Sequence, residues 1–373
     1  MMQFKVVEIF SKRDIKSFIK FPHKLYRESR EYVPVLDSNE FKILTKSASL
    51  DHSQLRMWLA YSYSGEIIGR IAGIINHNSN SYHNEKRVRF GWFDFIDEGV
   101  VAEALIEKVV EWGRELGMEE IHGPLGFNTW NRQGMMVDGF ENRPPINCLY
   151  NYHYYPQIME RLQFQKQLDW VQLKIRADRG VPEKLYKINQ LLLEKHNLRV
   201  LPLKELKSSK RYIDSFFESY NDSFSKIDNF VPLNSKEIEE IKEEYIPKLK
   251  ERLTSIVVDS DDEIAAFGVT FPNLSNSFRK AGGRLFPFGL FYILHEMKNY
   301  KTVDLMLLGS SPKWRNSGIS SIYHSTLAKY FKEDGVEWGI TNPQEENNSS
   351  TKVWERYGGV EHYMRRRCYI KKI

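Results

Sequence analysis

The sequence is poor in cysteine and lacks a long apolar run. Its 373 residues include only two cysteines, Cys148 and Cys368, which are too few for a disulfide framework, so we expect a reducing compartment, the cytoplasm. The longest apolar run, Leu285 to Leu294, is interrupted by Pro287 and is much shorter than the roughly 20 residues that cross a membrane as a helix. We therefore expect no membrane span.

An excess of one charge, a signal peptide and a metal motif are also missing. The 54 basic and 49 acidic residues leave a net charge of +5, which is too small to steer the protein to nucleic acid. Residues 1–13 carry charges early and lack the apolar stretch of a signal peptide. The histidines show no compact ligand spacing such as H-E-x-x-H. We expect neither a nucleic-acid partner nor a bound metal.

One order of secondary structure elements is predicted twice along the chain. The first copy has a β-hairpin, a strand, a helix, a strand, a short helix and a strand, at residues 57–75, 88–96, 101–116, 118–122, 155–162 and 168–175. The second copy repeats this order at residues 255–271, 303–308, 319–331, 336–340, 351–356 and 362–370. Gly117 and Gly335 stand where a helix C-terminal cap is expected. The sequence predicts an α/β (α+β) fold of two tandem domains, residues 1–178 and 179–373, each a mixed, mostly antiparallel sheet flanked by helices.

The loop before the helix of the second copy carries the clearest functional signal. It runs from Gly309 to Ser320, between a strand and an amphipathic helix. Backbone N–H groups at a helix N-terminus are unpaired and, with the helix dipole, attract anions. Gly318 lets the backbone approach a ligand closely, Ser317 and Ser320 add hydroxyl groups, and Arg315 adds a positive charge. These features predict a diphosphate site.

Arg315, Gly318 and Ser320 resemble the corresponding loop of GNAT acyltransferases. In that family Arg or Gln is followed by two residues, Gly, one residue, and then Gly or Ala, so Ser320 departs from the pattern by a hydroxyl. Nearly the whole chain resembles bacterial two-domain GNAT-like proteins. The resemblance implies two tandem GNAT-like domains and acetyl-CoA or another acyl-CoA as substrate, without a metal.

The resemblance also implies residues for each part of the acyl-CoA. The pyrophosphate is expected on the loop, the pantetheine near Asn347, and the thioester carbonyl on a backbone N–H group near Leu308 or Gly309. The residues expected to bind acyl-CoA are Leu308, Gly309, Arg315, Asn316, Ser317, Gly318, Ile319, Ser320 and Asn347.

Two catalytic residues are expected, with one departure from the family. Trp354 occupies the position at which many GNAT enzymes have a tyrosine general acid, and an indole N–H cannot protonate a leaving thiolate. Either Tyr357 or solvent supplies that proton, or the domain binds coenzyme A without efficient transfer. Asp304 is a candidate base for the amine; the alternative is a solvated charge at a strand end. In the first copy Asp97 and Glu98 open the helix and would repel a diphosphate, so that copy is expected to be degenerate.

These expectations favour an acyl-CoA-dependent N-acyltransferase that transfers an acetyl or longer acyl group to a small-molecule amine. One alternative is a catalytically degenerate protein that binds acyl-CoA or lipid. Another is a tandem GNAT transferase that uses aminoacyl-tRNA, which would need a strongly basic face that the sequence does not show. The sequence leaves the acceptor and the oligomeric state open.

Three other segments have two interpretations each. Leu285 to Leu294 either packs on the core as a helix or turn, or forms a wall for an acyl chain or substrate. The loops at 123–131 and 151–156 either line an acceptor cleft between the domains or are capped surface loops. The run Arg365 to Arg367 alternates faces on a strand, which favours a solvated edge over a nucleic-acid patch.

Overall fold

The computed structural model describes residues 3–348, 354 and 359–373. The first elements along the chain are β1 (Phe4–Glu8), α1 (Lys12–Leu25), α2 (Asp37–Lys46), β2 (Ser53–Ser62), β3 (Ile67–Asn76), α3 (His77–His83), β4 (Arg87–Phe95), α4 (Gly99–Glu115), β5 (Glu120–Gly123), β6 (Met135–Asp138), α5 (Tyr154–Arg161) and β7 (Gln165–Arg176). The elements that follow are α6 (Glu183–Lys195), β8 (Arg199–Leu201), α7 (Leu203–Ser208), α8 (Lys210–Phe224), α9 (Ser235–Tyr245), β9 (Thr254–Val258), β10 (Ile264–Pro272), α10 (Ser275–Ala281), α11 (Gly289–Glu296), β11 (Thr302–Ser310), α12 (Ser320–Asp334), β12 (Trp338–Thr341), β13 (Gln344–Glu345) and β14 (Val360–Lys372). Short 3₁₀ helices lie at Ala48–His52, Ile246–Lys248, Glu251–Leu253 and Pro312–Trp314.

The chain forms two compact units, each built from separate stretches of sequence. Unit 1 comprises Met1–Val171, Leu274–Glu296 and Met364–Ile373, and unit 2 comprises Gln172–Asn273 and Met297–Tyr363. The presence of two compact units does not show whether residues 1–178 or residues 179–373 fold independently. The domain limits 1–178 and 179–373 therefore stay a prediction.

The sheet of unit 1 has the strand order β1-β2-β3-β4-β5-β14. β4 and β5 are parallel and the other neighbours are antiparallel. Two parallel neighbouring strands need a crossover connection, and here helix α4 provides it. The apolar residues of α4 recur at helical spacing and face the sheet. A Cβ at Gly69 of β3 would lie 2.7 Å from Leu105 Cδ1 of α4, so glycine permits this close packing.

The sheet of unit 2 repeats this plan in the order β8-β9-β10-β11-β12-β7. β11 and β12 are parallel, with α12 as their crossover helix, and the other neighbours are antiparallel. A Cβ at Gly268 of β10 would lie 2.9 Å from Tyr323 Cδ2 of α12, the counterpart of the Gly69 contact. Gly117 and Gly335 have positive φ angles of 74° and 66° where the two crossover helices end. The predicted α/β class, with a mixed, mostly antiparallel sheet in each unit, is confirmed.

Two sequence expectations in unit 1 are wrong. The loop at 123–131 is not a surface loop: Phe127 is fully buried, and its carbonyl accepts from Asn76 Nδ2 at 2.7 Å and Arg89 Nη1 at 2.9 Å. The arginine run is not a solvated edge, because β14 pairs with β5 and β6. Arg366 is fully buried and donates to the carbonyl of Leu149 at 2.6 Å.

The described residues contain no helix that is long and apolar enough to cross a membrane. In the same part of the chain, no group of three or more His, Cys, Asp or Glu side chains is arranged to hold a metal ion. Of the helix predicted at 351–356, only Trp354 is described, and it is helical.

Candidate functional site

Strand β11 separates from β12 part-way along its length. The two strands pair in parallel as far as Leu305. A β-bulge follows, because Leu305 and Leu307 face consecutive residues of β10 and Met306 is the extra residue. β11 then continues to Ser310 without a partner in the described part of β12. No described strand pairs with this edge of β11 from Met306 to Ser310, and we call this edge the β11 slot.

The backbone of Leu308 faces the β11 slot. Ser311 donates its N–H group to a β10 carbonyl at 2.9 Å. Because backbone groups alternate in direction along an antiparallel strand, Gly309 faces β10 whereas Leu308 and Ser310 face the slot. In agreement, the carbonyl of Ser310 accepts from the hydroxyl of Ser223 of α8, at 2.9 Å, rather than from β10. Of the two donors that the sequence suggests, the N–H group of Leu308 is the one directed into the slot.

The loop from Arg315 to Ser320 presents backbone N–H groups at the start of α12. The φ angle is positive at Asn316 (61°) and Gly318 (84°) and negative at Arg315 (−60°) and Ile319 (−56°). The N–H groups of Asn316, Gly318 and Ser320 donate to no acceptor among the described residues. Unpaired N–H groups at the start of a helix suit an anion.

Other polar groups of the loop maintain its own shape. The hydroxyl of Ser317 donates to the carbonyl of Trp314 at 2.7 Å and accepts from the N–H of Ile319 at 3.3 Å. The side chain of Ile319 is buried in the core of unit 2. The side chains of Ser317 and Ile319 are thus engaged within the protein, and the unpaired groups of the loop are backbone N–H groups.

Asp259 holds the base of the loop. Its carboxylate accepts from Lys313 Nζ at 2.7 Å and from Trp314 Nε1 at 3.4 Å. Two backbone N–H groups of its own turn, those of Asp261 and Glu263, donate to it at 3.0 Å and 3.2 Å. Burial raises the pKa of the Asp259 carboxyl, but these hydrogen bonds outweigh burial and hold the pKa below its ordinary value. The carboxylate is charged at neutral pH and keeps the loop in place.

Arg315 and Asn189 tie the loop to two helices. Arg315 Nη2 donates to the carbonyls of Asp222 and Ser223 at 3.0 Å each, so its charge also lies at the C-terminal end of α8. Arg315 Nε and Nη1 have no acceptor in the described part of the chain. Asn189 of α6 is buried and donates to the carbonyl of Ser321 at 2.8 Å. The loop is therefore fixed from both sides before any ligand binds.

An apolar pocket opens beside Leu308. Its lining includes Leu305 and Leu308 of β11, His324 and Leu327 of α12, and Trp354. The rings of His324 and Trp354 meet at 75°, with centroids 4.6 Å apart. Burial lowers the pKa of His324 to about 3, so its imidazole is neutral. The pocket suits an alkyl chain better than a charged group.

Comparisons with known proteins give relatives over nearly the whole chain. No protein-family model matches. The chain is 26% identical over 380 residues to "Protein YghO" of Escherichia coli (strain K12), which covers 97% of this chain and 94% of that protein. It is 23% identical over 385 residues to "Bacterial ceramide synthase" of Caulobacter vibrioides (strain NA1000 / CB15N), which covers 99% and 97%.

Solved structures share the fold at low sequence identity. A "Tandem GNAT protein from the clavulanic acid biosynthesis pathway" has a TM-score of 0.59 at 9% identity and covers 99% of this chain and 98% of that one. The protein has the tandem GNAT fold. A GCN5-related glucosamine N-acetyltransferase region in a fungal multi-domain β-N-acetylglucosaminidase gives a TM-score of 0.62 at 11% identity; it covers 100% of this chain, which spans 38% of that one.

The remaining predicted residues of this tandem GNAT fold are Asp304, Asn347, Gly309 and Tyr357. Asp304 is buried in the paired part of β11, before the bulge, and accepts from Asn273 Nδ2 at 2.7 Å. Asn347 is exposed in the turn after β13. A Cβ at Gly309 would lie 2.5 Å from Cζ of Phe267 in β10, so close packing against this ring explains why residue 309 is a glycine. Tyr357 lies outside the described residues. Their roles in catalysis or binding stay predictions.

The crossover of unit 1 has no comparable loop. Strand β4 ends at Phe95 and α4 begins at Gly99, so the connection is only Ile96 to Glu98. Its two carboxylates, Asp97 and Glu98, stand at the helix N-terminus, where an anion would otherwise bind. This short acidic connection supports the prediction that the first copy is degenerate for coenzyme A.

Sequence reasoning missed a buried polar cluster in unit 1. Asp94 accepts from Arg70 Nε and from the hydroxyl of Tyr26, both at 2.7 Å, and Tyr26 contacts the hydroxyl of Tyr155 at 2.7 Å. Burial, helped by the charge of Asp94, raises the pKa of both tyrosines well above the ordinary value, so both are neutral. Because these groups form hydrogen bonds with one another, we interpret the cluster as structural. Its only sequence signal is a charged residue, Arg70 or Asp94, within each of two strands that are rich in apolar residues.

Proposed function

We propose that the protein is an acyl-CoA-dependent N-acyltransferase that binds acyl-CoA in unit 2. The observation that carries the proposal is that the loop directly follows the β11 slot along the chain and leads into α12. The unpaired N–H groups of Asn316, Gly318 and Ser320 suit a diphosphate, and Arg315 adds positive charge beside it. The slot is where pantetheine would add to β11, and Leu308 directs an N–H group into it.

The proposed reaction is direct transfer without a covalent enzyme intermediate. The neutral amine attacks the thioester carbonyl carbon, the C–N bond forms, the C–S bond breaks, and coenzyme A leaves as a thiolate. The N–H of Leu308 stabilises the negative charge that develops on the carbonyl oxygen. The amine nitrogen loses one proton, to Asp304 or solvent, and the thiolate gains one, from Tyr357 or solvent. His324 is a poor base for this step, since its pKa is about 3.

We further propose that the acceptor is the amine of a long-chain amino alcohol. The chain resembles, over nearly its whole length, a protein named a bacterial ceramide synthase, and a ceramide is the N-acyl derivative of such an amine. The mostly apolar lining of the pocket beside Leu308 supports a long acyl chain on the donor.

A thiol-release assay tests the proposal. Purified protein is mixed with acetyl-CoA or palmitoyl-CoA and with sphinganine, glucosamine or no amine, and free coenzyme A is followed with a thiol reagent. We expect release that needs both substrates and is fastest with palmitoyl-CoA and sphinganine, together with a product whose mass is that of the amine plus the acyl group. Failure of acyl-CoA to bind in calorimetry would contradict the site itself.

A second candidate is an acyl-CoA-binding protein without transferase activity. Trp354 favours it, because this residue stands where a tyrosine acid is expected and is buried against His324. The same experiment separates the two functions. Tight binding of palmitoyl-CoA with no amine-dependent thiol release would support the binding protein.

A further inference from the structure

The hairpin of α10 and α11, Leu274–Glu296, presents an unusual apolar tip in unit 1. Phe286, Phe288 and Phe291 are 74%, 65% and 66% exposed, and Leu290 and Leu294 are 38% and 49% exposed. Apart from Gly289 and Ile293, the side chains of the run from Leu285 to Leu294 are not buried. The packing expected for this run is therefore wrong for most of its residues. Three neighbouring exposed rings form a patch of the kind that marks an interaction site.

The tip is held by a well-anchored base. The N–H of Asp37 donates to the carbonyl of Gly283 at 3.0 Å. Ser275 Oγ donates to the carbonyl of Pro144 at 2.9 Å, and the N–H of Ser277 donates to Glu296 at 2.8 Å. The rings therefore project from a fixed support.

The charges beside the rings are positive. Arg279, Lys280 and Arg284 are exposed and form no ion pair with any residue that the structure describes. Lys280 Nζ lies 5.9 Å from the ring of Tyr292, at the foot of the apolar tip. The only carboxylate of the hairpin, Glu296, is engaged by the N–H of Ser277. The hairpin thus combines exposed rings with three unneutralised cations.

We propose that the α10–α11 hairpin docks the protein on anionic phospholipid membranes. Phe286, Phe288 and Phe291 insert at the level of the headgroups and upper acyl chains, while Arg279, Lys280 and Arg284 contact lipid phosphates. A protruding tip needs a matching groove in a protein partner but none in a deformable bilayer. Exposed cations beside the rings fit an anionic lipid surface, whereas charged residues are depleted in the cores of protein interfaces. The proposal does not depend on the identity of the acceptor.

Vesicle co-sedimentation of the full-length protein tests the proposal. Phosphatidylcholine vesicles with and without phosphatidylglycerol serve as probes. We expect binding that is stronger with phosphatidylglycerol and weakens with salt. Phe286→Ser/Phe288→Ser/Phe291→Ser should lower the partition coefficient by about tenfold or more on both vesicle types. Arg279→Gln/Lys280→Gln/Arg284→Gln should remove the preference for phosphatidylglycerol.

A matched control comes from exposed rings elsewhere in unit 1. Phe10 and Tyr63 are 78% and 89% exposed, so Phe10→Ser/Tyr63→Ser removes aromatic surface without touching the hairpin and should leave vesicle binding unchanged. Circular dichroism checks that every variant is folded, and calorimetry with coenzyme A checks the unit 2 site separately. Absence of vesicle binding by the unaltered protein, or equal binding by the triple phenylalanine variant, would overturn the proposal. So would a dimer in light scattering that the phenylalanine variant loses, since a second copy would then cover the tip.

Discussion

Gly318→Ala separates the shape of the anion loop from the general stability of unit 2. The φ angle of Gly318 is 84°, in a region where an L-residue costs about 1 kcal/mol. Among the described residues, the only atom within 4 Å of such a Cβ is Leu192 Cδ1, at 3.9 Å, so no clash with them adds to this cost. The free energy of unfolding should therefore fall by about 1 kcal/mol.

Gly318→Ala should weaken the binding of coenzyme A by more free energy than it removes from the stability of the fold. A loop that relaxes the strain at residue 318 reorients its N–H, which is one of the three unpaired N–H groups offered to the diphosphate in the proposed site. Because losing one hydrogen bond to a charged group costs about 1.5–3 kcal/mol, the Kd for coenzyme A should rise roughly 10- to 100-fold. Isothermal titration calorimetry measures this change.

Gly335→Ala is the matched control for Gly318→Ala. Gly335 has a φ angle of 66° at the opposite end of α12. Of the residues that the structure describes, its Cβ would meet only Lys301 Nζ, at 3.4 Å, the end of a flexible side chain. Urea unfolding should show a similar loss of stability in both variants, with coenzyme A binding weakened only by Gly318→Ala. Unchanged binding by Gly318→Ala, or equal weakening by Gly335→Ala, would refute the reasoning.

Three other predictions concern stability. Asp259→Asn should destabilise the protein at neutral pH and much less in acid. The folded-state pKa of Asp259 is lower than its ordinary value. Its charge therefore contributes stability above about pH 4, and this stability is lost as the pH falls through the folded-state pKa. Urea titrations that show the same difference at both pH values would contradict this. Asp94→Ala should lower the free energy of unfolding by about 3–5 kcal/mol because it leaves Arg70 buried without its ion pair. In denaturant titrations the double variant Arg70→Met/Asp94→Leu should be more stable than Asp94→Ala. A double variant that is less stable than Asp94→Ala would count against this explanation. Gly268→Ala should cost about 1–3 kcal/mol through overpacking on α12, whereas Gly339→Ala, whose Cβ would lie 3.5 Å from Leu305 Cδ1, should be nearly neutral in thermal unfolding. Equal melting temperatures for the two glycine variants would contradict the packing argument.

Local sequence signals were enough to predict the repeated fold and the position of the loop before α12. Helical periodicity and C-terminal glycines located α4 and α12, since both signals depend on neighbouring residues alone. The placement of Arg315 to Ser320 between a strand and a helix predicted where unpaired N–H groups would lie. The elements before residue 53, β1, α1 and α2, were not predicted.

Register and burial could not be predicted, because they depend on residues far apart in the sequence. The bulge at Met306 and the direction of the Leu308 N–H follow from how β11 aligns with β10. Arg366 can be buried because the carbonyl of Leu149, far away in the sequence, accepts a hydrogen bond from its guanidinium group. The apolar run at 285–294 has the composition of a core segment, but in the described structure most of its side chains are left uncovered.

The most direct test of the proposed site is a crystal structure of the protein with a thioether analogue of palmitoyl-CoA that keeps the carbonyl oxygen. The diphosphate should lie within hydrogen-bonding distance of the N–H groups of Asn316, Gly318 and Ser320, and the carbonyl oxygen should accept from the N–H of Leu308. A diphosphate bound elsewhere, such as at the start of α4 in unit 1, would contradict the assignment of the acyl-CoA site to unit 2.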